Sequence, residues 1–225
     1  MSKHLDRELD ALRCDLISQF GLVEQMILTA VRALTERRGE LCDDVISQDA
    51  QVDTNDIKFE EECLKLLALH QPVASNMRWL FTVVKVNNEL ERMADLACNI
   101  AERAKSIEKH PGFPVPKELN EMAAGATQMV KQALDSFIEG DEDKARSVIS
   151  SDDEVDRQNR IVIEILHEKM REDPENISPA VHCFSASRHL ERIADLAVNI
   201  SEEVIYLVLG DIVRHQHGET ITKNN

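Results

Sequence analysis

The sequence predicts an all-α fold, two tandem three-helix bundles related by internal duplication. Three observations carry this prediction. One motif is written twice, as NNELERMADLACNI from Asn87 and SRHLERIADLAVNI from Ser187. Apolar residues recur at three- and four-residue spacing through six long segments, the pattern of amphipathic helices. The stretch HPGFPVP, His110 to Pro116, places three prolines and a glycine in seven residues, and no helix survives that.

Taken in order, the first helix runs from Leu5 to about Leu34, with Gly39 placed to close it. The second runs from Leu41 to Leu69 and the third from Met77 to Ala104. Between them Pro72, in HQPVAS, cannot continue a helix and marks a hairpin. Residues 1–109 thus form the first unit. After the proline-rich boundary, residues 117–225 form the second, with helices at Lys117 to Glu139, Asp141 to Arg171 and Pro179 to Leu209. REDPENISP is its hairpin, and the tail from Gly210 is expected to fray. The duplication extends beyond the opening motif. VISQDAQVD from Val45 matches VISSDDEVD from Val148 at an offset of 103, whereas the last helices match at an offset of 100, so three residues were lost in the second hairpin. A repeat of that length with three helices per unit reads as a tandem of bundles.

Composition agrees and sets limits on function. Aromatic residues make up 4% of the 225-residue chain, with 7 glycines and 6 prolines. The net charge of -16 repels phosphate backbones and anionic headgroups, and no basic patch offsets it, so neither nucleic acid nor a bare membrane surface is an expected partner. The N-terminus carries charges where a signal peptide has its apolar region, and no run approaches the ~18 apolar residues of a spanning helix. A cytoplasmic location is expected. Cys14, Cys42, Cys63, Cys98 and Cys183 are odd in number and scattered, which suits reduced, mostly core-filling thiols.

The chemistry lies in paired carboxylates. On a helical wheel Glu91, Asp95, Asn99 and Glu102 share a sector about 80° wide beside the apolar band of the third helix, and Glu191, Asp195, Asn199 and Glu202 repeat it. The second helix of each unit has its own D-x-x-x-D, Asp49 with Asp53 and Asp152 with Asp156. Asp56 and Glu60 extend the first pair and Asn159 the second. Both Asp53 with Glu91 and Asp49 with Asp95 are centred on Pro72, the turn. In an antiparallel hairpin these four lie at one height, about 28 Å from the turn. Asp156 with Glu191 and Asp152 with Asp195 are centred likewise between Asp173 and Pro174. Like charges brought together at a helix interface are destabilising unless protonated or neutralised, and a cation resolves the conflict. All-oxygen ligand sets suit Mg²⁺, Mn²⁺, Ca²⁺ or iron. The competing reading is a salt-bridged surface, with Arg92 and Arg192 neutralising the acids.

Other candidates are weaker. The single E-x-x-H at Glu164 to His167 lacks the second copy that a di-iron site requires. His215 and His217 lie in the polar tail, and Trp79 is expected to pack between helices. No nucleotide-binding glycine loop or nucleophile elbow is present.

ELERMADLACNI and HLERIADLAVNI, each with an upstream D-x-x-x-D, resemble the PhoU family of phosphate-signalling regulators, over about Leu5 to Val213. Ala94 and Ala194 stand where many members have glycine. The resemblance implies two similar three-helix bundles, commonly dimeric. It also implies an adaptor between a phosphate ABC transporter, through its ATPase subunit, and a phosphate-sensing histidine kinase, repressing starvation genes when phosphate is plentiful. Some relatives carry multinuclear iron, zinc or other metal clusters at the acidic motifs. The implied ligands here are Asp49, Asp53, Glu91 and Asp95, then Asp152, Asp156, Glu191 and Asp195. Two other classes compete. A carboxylate-metal hydrolase would need a general base beside the acids and an open pocket. A tandem helical spacer would need a continuous linker helix, which Pro111, Pro114 and Pro116 interrupt.

Overall fold

Six α-helices dominate the computed structural model, which describes residues 3–210: α1 (Lys3–Thr35), α2 (Cys42–His70), α3 (Ala74–Glu108), α4 (Lys117–Glu139), α5 (Glu142–Glu172) and α6 (Ile177–Leu209). No strand occurs among the described residues. The tail beyond Gly210, with His215 and His217, lies outside them.

Helix ends follow from local chemistry. α2 stops because Gln71 turns left-handed at φ 43°, its N–H donating to the Leu67 carbonyl, and Pro72 follows. α4 stops at Gly140 (φ 65°), where a residue without Cβ adopts that conformation at no steric cost. Asp141 then caps α5, its Oδ1 accepting from the Lys144 N–H at 2.9 Å. α1 departs from expectation. It ends at Thr35, the reversal is made by Arg37 at φ 56°, and Gly39 instead opens a 3₁₀ turn, Gly39–Leu41.

A non-glycine residue held left-handed costs about 1–2 kcal/mol, and the Arg37 side chain explains why it is tolerated. Its guanidinium donates to the linker carbonyls of Pro111 (3.0 Å), His110 (3.4 Å) and Phe113. The chain between the units is therefore tied to the end of α1. Arg37→Ala should cost about 1–3 kcal/mol, whereas Arg37→Gly, which relieves the backbone while losing the same bonds, should cost less. Urea unfolding of the two variants checks this, and equal losses would contradict it.

α1 is richer in apolar residues than the sequence reading allowed. By length and composition it could cross a membrane, yet Leu16, Phe20, Val23, Met26 and Ile27 are buried against the other helices. Core packing accounts for its hydropathy. Trp79 is partly buried against the core, with the Arg13 guanidinium 5.3 Å from its ring. All five cysteines are free; Cys42, Cys63 and Cys183 fill core positions, while Cys14 is exposed.

Within each unit the helices pack on one another, and between units α1 meets α4 and α3 meets α6. The buried apolar residues of all six helices form one continuous cluster. α3 and α6 run antiparallel. Lys85 Nζ lies 3.3 Å from Glu203, Asn199 donates to Glu89 at 3.4 Å, and Ser178 meets His110 at 3.5 Å. Because equivalent positions are 100 apart in sequence, this pairing places a pseudo-two-fold axis through the seam near Ala94 and Ala194.

Candidate functional site

The first hairpin has the register that its carboxylates require. Cys42 Sγ donates to the Ala101 carbonyl at 3.0 Å, and Asn87 Nδ2 donates to Asp56 Oδ1 at 2.6 Å. Cys98 Sγ reaches the Val45 carbonyl at 3.9 Å. All three pairs are centred beside Pro72. Asp49 and Asp53 on α2 consequently face Glu91 and Asp95 on α3 across the helix interface. Asp49 and Glu91 are half-buried, and Asp53 and Asp95 are exposed.

Crowding of negative charge is visible in their acidities. Partial burial raises Asp49 above the usual carboxylate range, and Asp53 and Asp95 raise it further. Glu91 is raised by burial and then by Asp95, Asp56, Asp53 and Asp49 together. Asp56 is raised by burial and by Glu60 and Asp53. The thiol of Cys98, beside Asp49, is pushed up to about 12 by burial and by that carboxylate. In the metal-free fold it therefore stays protonated at neutral pH.

The second unit repeats the pattern with differences. Asp195 is raised by desolvation, then by Glu191 and Asp156, with Arg188 and Arg192 partly opposing. Asp152 lies one turn before Asp156 on α5, both half-buried. Glu191 is paired with Arg188 one turn before it. Arg92 turns to Glu89 at 3.1 Å, not to Glu91 or Asp95, so the neutralising role considered for it falls on a different carboxylate. As the side chains stand, no three His, Cys, Asp or Glu groups among the described residues converge closely enough to hold a metal ion.

One feature escaped the sequence reading. Across the α3–α6 seam the two motif copies open a shared cleft of 460 Å³ lined by Arg92, Asp95, Leu96 and Asn99 together with Arg192, Asp195, Leu196 and Asn199. Each wall supplies the same four residue types around the pseudo-two-fold axis. Asn99 is held by donating to the Asp95 carbonyl at 2.8 Å. Glu89, half-buried behind the cleft, is raised by burial despite Arg92 and Asn199. The repeated motif was the available signal, but only the antiparallel seam brings its copies face to face.

The model of the PhoU domain matches residues 5–104 and 119–204, one match per unit. A phosphate-specific transport system accessory protein PhoU homolog from Aquifex aeolicus is 38% identical over 213 residues, covering 95% of this chain and 96% of that protein. The phosphate-specific transport system accessory protein PhoU of Serratia marcescens is 31% identical over 99% of this chain and 93% of its own length. The crystal structure of PhoU from Pseudomonas aeruginosa superposes with a TM-score of 0.88 at 37% identity, covering 92% of this chain and 99% of that one. Two domain matches in tandem, full-length relatives and a shared six-helix architecture place this chain in the PhoU family.

Proposed function

We propose that this chain is a non-enzymatic accessory regulator of phosphate uptake. It works at the inner face of the membrane by contact with the ATPase subunit of a phosphate ABC transporter and with a phosphate-sensing histidine kinase. The names of its relatives, accessory proteins of phosphate-specific transport systems, support the transport link. The observation that carries the contact mode is the architecture: two duplicated bundles expose long helix faces, and the carboxylates of each hairpin crowd chiefly against one another.

Each bundle holds metal in this reading, with Asp49, Asp53, Glu91 and Asp95 as ligands in the first and Asp152, Asp156, Glu191 and Asp195 in the second. The donor set fits. Hard or borderline cations such as iron, zinc, manganese or magnesium take carboxylate oxygens, and burial, with repulsion from neighbouring carboxylates added to it, already raises Asp49, Glu91 and Asp195. Exposed Asp53 and Asp95 in the first unit, and exposed Asp195 in the second, have room to turn toward an ion in their own unit. Bound metal would supply charge neutralisation and a rigid hairpin. A homodimer, as the family resemblance implies, is part of the same proposal.

Deletion of the gene is the test. Starvation genes should rise several-fold in high phosphate, and the tagged chain should co-purify with membranes only from cells that contain the transporter or the kinase. Unchanged repression in the deletion strain, with no co-purification, rejects the regulatory reading.

A further inference from the structure

The two carboxylate sites are not equal, and the difference lies one turn nearer the hairpin bend. In the first unit Asp56, three residues past Asp53 on α2, is held from α3 by Asn87, four residues before Glu91. Asn87 Nδ2 donates to Asp56 Oδ1 at 2.6 Å and lies 3.4 Å from the Asp56 carbonyl. The Asn87 side chain is fully buried, and its Oδ1 has no hydrogen-bond partner. A buried acceptor left unpaired carries a desolvation cost that a leucine at this core position would avoid. What the asparagine provides instead is a fixed Asp56. That carboxylate belongs to the cluster: after burial, Glu91 is raised most by Asp95 and next by Asp56, ahead of Asp53 and Asp49.

The second unit lacks each of these parts. Asn159 stands at the equivalent of Asp56, and Ser187 at that of Asn87. Ser187 Oγ turns to the Phe184 carbonyl at 2.9 Å, and the buried Oδ1 of Asn159 is left without a partner. Glu60, which crowds Asp56 in the first unit, is matched by Ile163. Positive charge differs in the opposite sense. Arg188 pairs with Glu191 and, with Arg192, opposes the crowding at Asp195, whereas the first unit has Asn88 at the position of Arg188. The groups that act most on Glu91 are all carboxylates.

Affinity at an all-oxygen cation site rises with the number of charged ligands and with their rigidity. We infer that Asp56 is a fifth ligand of the first unit, positioned by Asn87, and that the first unit binds its cation about tenfold or more tightly than the second. This rests on the metal reading above and ranks its two sites.

The experiment uses the full chain with one site disabled at a time, Asp195→Ala leaving the first unit and Asp95→Ala the second. Mn²⁺ is the probe, its free concentration read by electron paramagnetic resonance. The chain that keeps the first site should bind Mn²⁺ about tenfold or more tightly than the chain that keeps the second. Asp56→Asn, which holds the shape and removes the charge, should weaken the first site about tenfold or more, and Asn87→Leu should do so by a similar factor. Neither should alter the second site. In the chain that keeps the second site, Asn159→Asp with Arg188→Asn should tighten binding about tenfold. Metal-free melting temperatures report folding separately. Relief of repulsion should leave that of Asp56→Asn unchanged or higher, so its lost binding does not come from lost structure. Equal affinity in the two single-site chains, or a first site indifferent to Asp56→Asn, overturns the ranking and leaves the metal reading standing. A folded Asn87→Leu chain with full affinity overturns the positioning role. Binding by neither single-site chain overturns the metal reading and the ranking together.

Discussion

Exhaustive chelation of the purified chain is expected to lower its melting temperature by about 10–20 °C, with recovery on adding back the metal. The figure follows from mass action. An ion that binds only the folded state at about a hundred times its dissociation constant adds about 2.7 kcal/mol, so one site per unit adds about 5.4 kcal/mol in all, and each kcal/mol moves a domain of this size by about 2–4 °C. Elemental analysis of protein prepared without chelator should show stoichiometric metal. Asp95→Ala should lower that content, as should Asp195→Ala, each leaving the other unit's share largely filled. Arg92→Ala should leave metal unchanged, since Arg92 pairs with Glu89. Equal metal in all three variants, or no loss of stability on chelation, rejects the metal assignment.

The chelated protein should also respond to pH in a characteristic direction. Asp49, Glu91 and Asp195 have folded-state pKa values raised above those of the unfolded chain. Over the window between ordinary carboxylate values and the raised ones, the folded state holds more protons, so their contribution improves as pH falls and worsens as it rises. Asp95→Asn should flatten this slope in apo protein, because Asp95 is among the charges that raise both Asp49 and Glu91.

Leu90→Ala and Leu190→Ala should each cost about 2–5 kcal/mol. Both side chains are fully buried at equivalent positions of α3 and α6, within the cluster that spans the two units. Because that cluster is continuous, either substitution should lower a single cooperative transition, where separately folding units would show two. Calorimetry distinguishes the outcomes. A variant in which one half melts early and the other keeps its original midpoint contradicts the shared core.

Much of this architecture was legible from the sequence, for identifiable reasons. The bounds of α4 are punctuated by Pro116 and Gly140, and the first hairpin register follows from the centring of two carboxylate pairs on Pro72, where Cys42, Asn87 and Cys98 then find their partners. The end of α1 was not legible. Arg37 takes a left-handed conformation that its residue type does not signal, stabilised by carbonyls more than seventy positions away. The cleft was hidden for a similar reason. Each wall is encoded in its own unit, but the antiparallel seam that opposes them depends on packing between units.

That seam also bears on how the chain folds. Lys85 and Glu203 meet across 118 steps of sequence, whereas the residues bonded across the first hairpin, Asn87 with Asp56, Cys98 with Val45 and Cys42 with Ala101, are separated by 31, 53 and 59. Local hairpins close at little entropic cost, and distant pairings must wait for the long loop between them to shrink. The helical hairpins should therefore be well advanced in the rate-limiting state, and the seam should be joined late. On this ordering Arg37, by pinning the linker to the end of α1, shortens the free loop that the last step has to close.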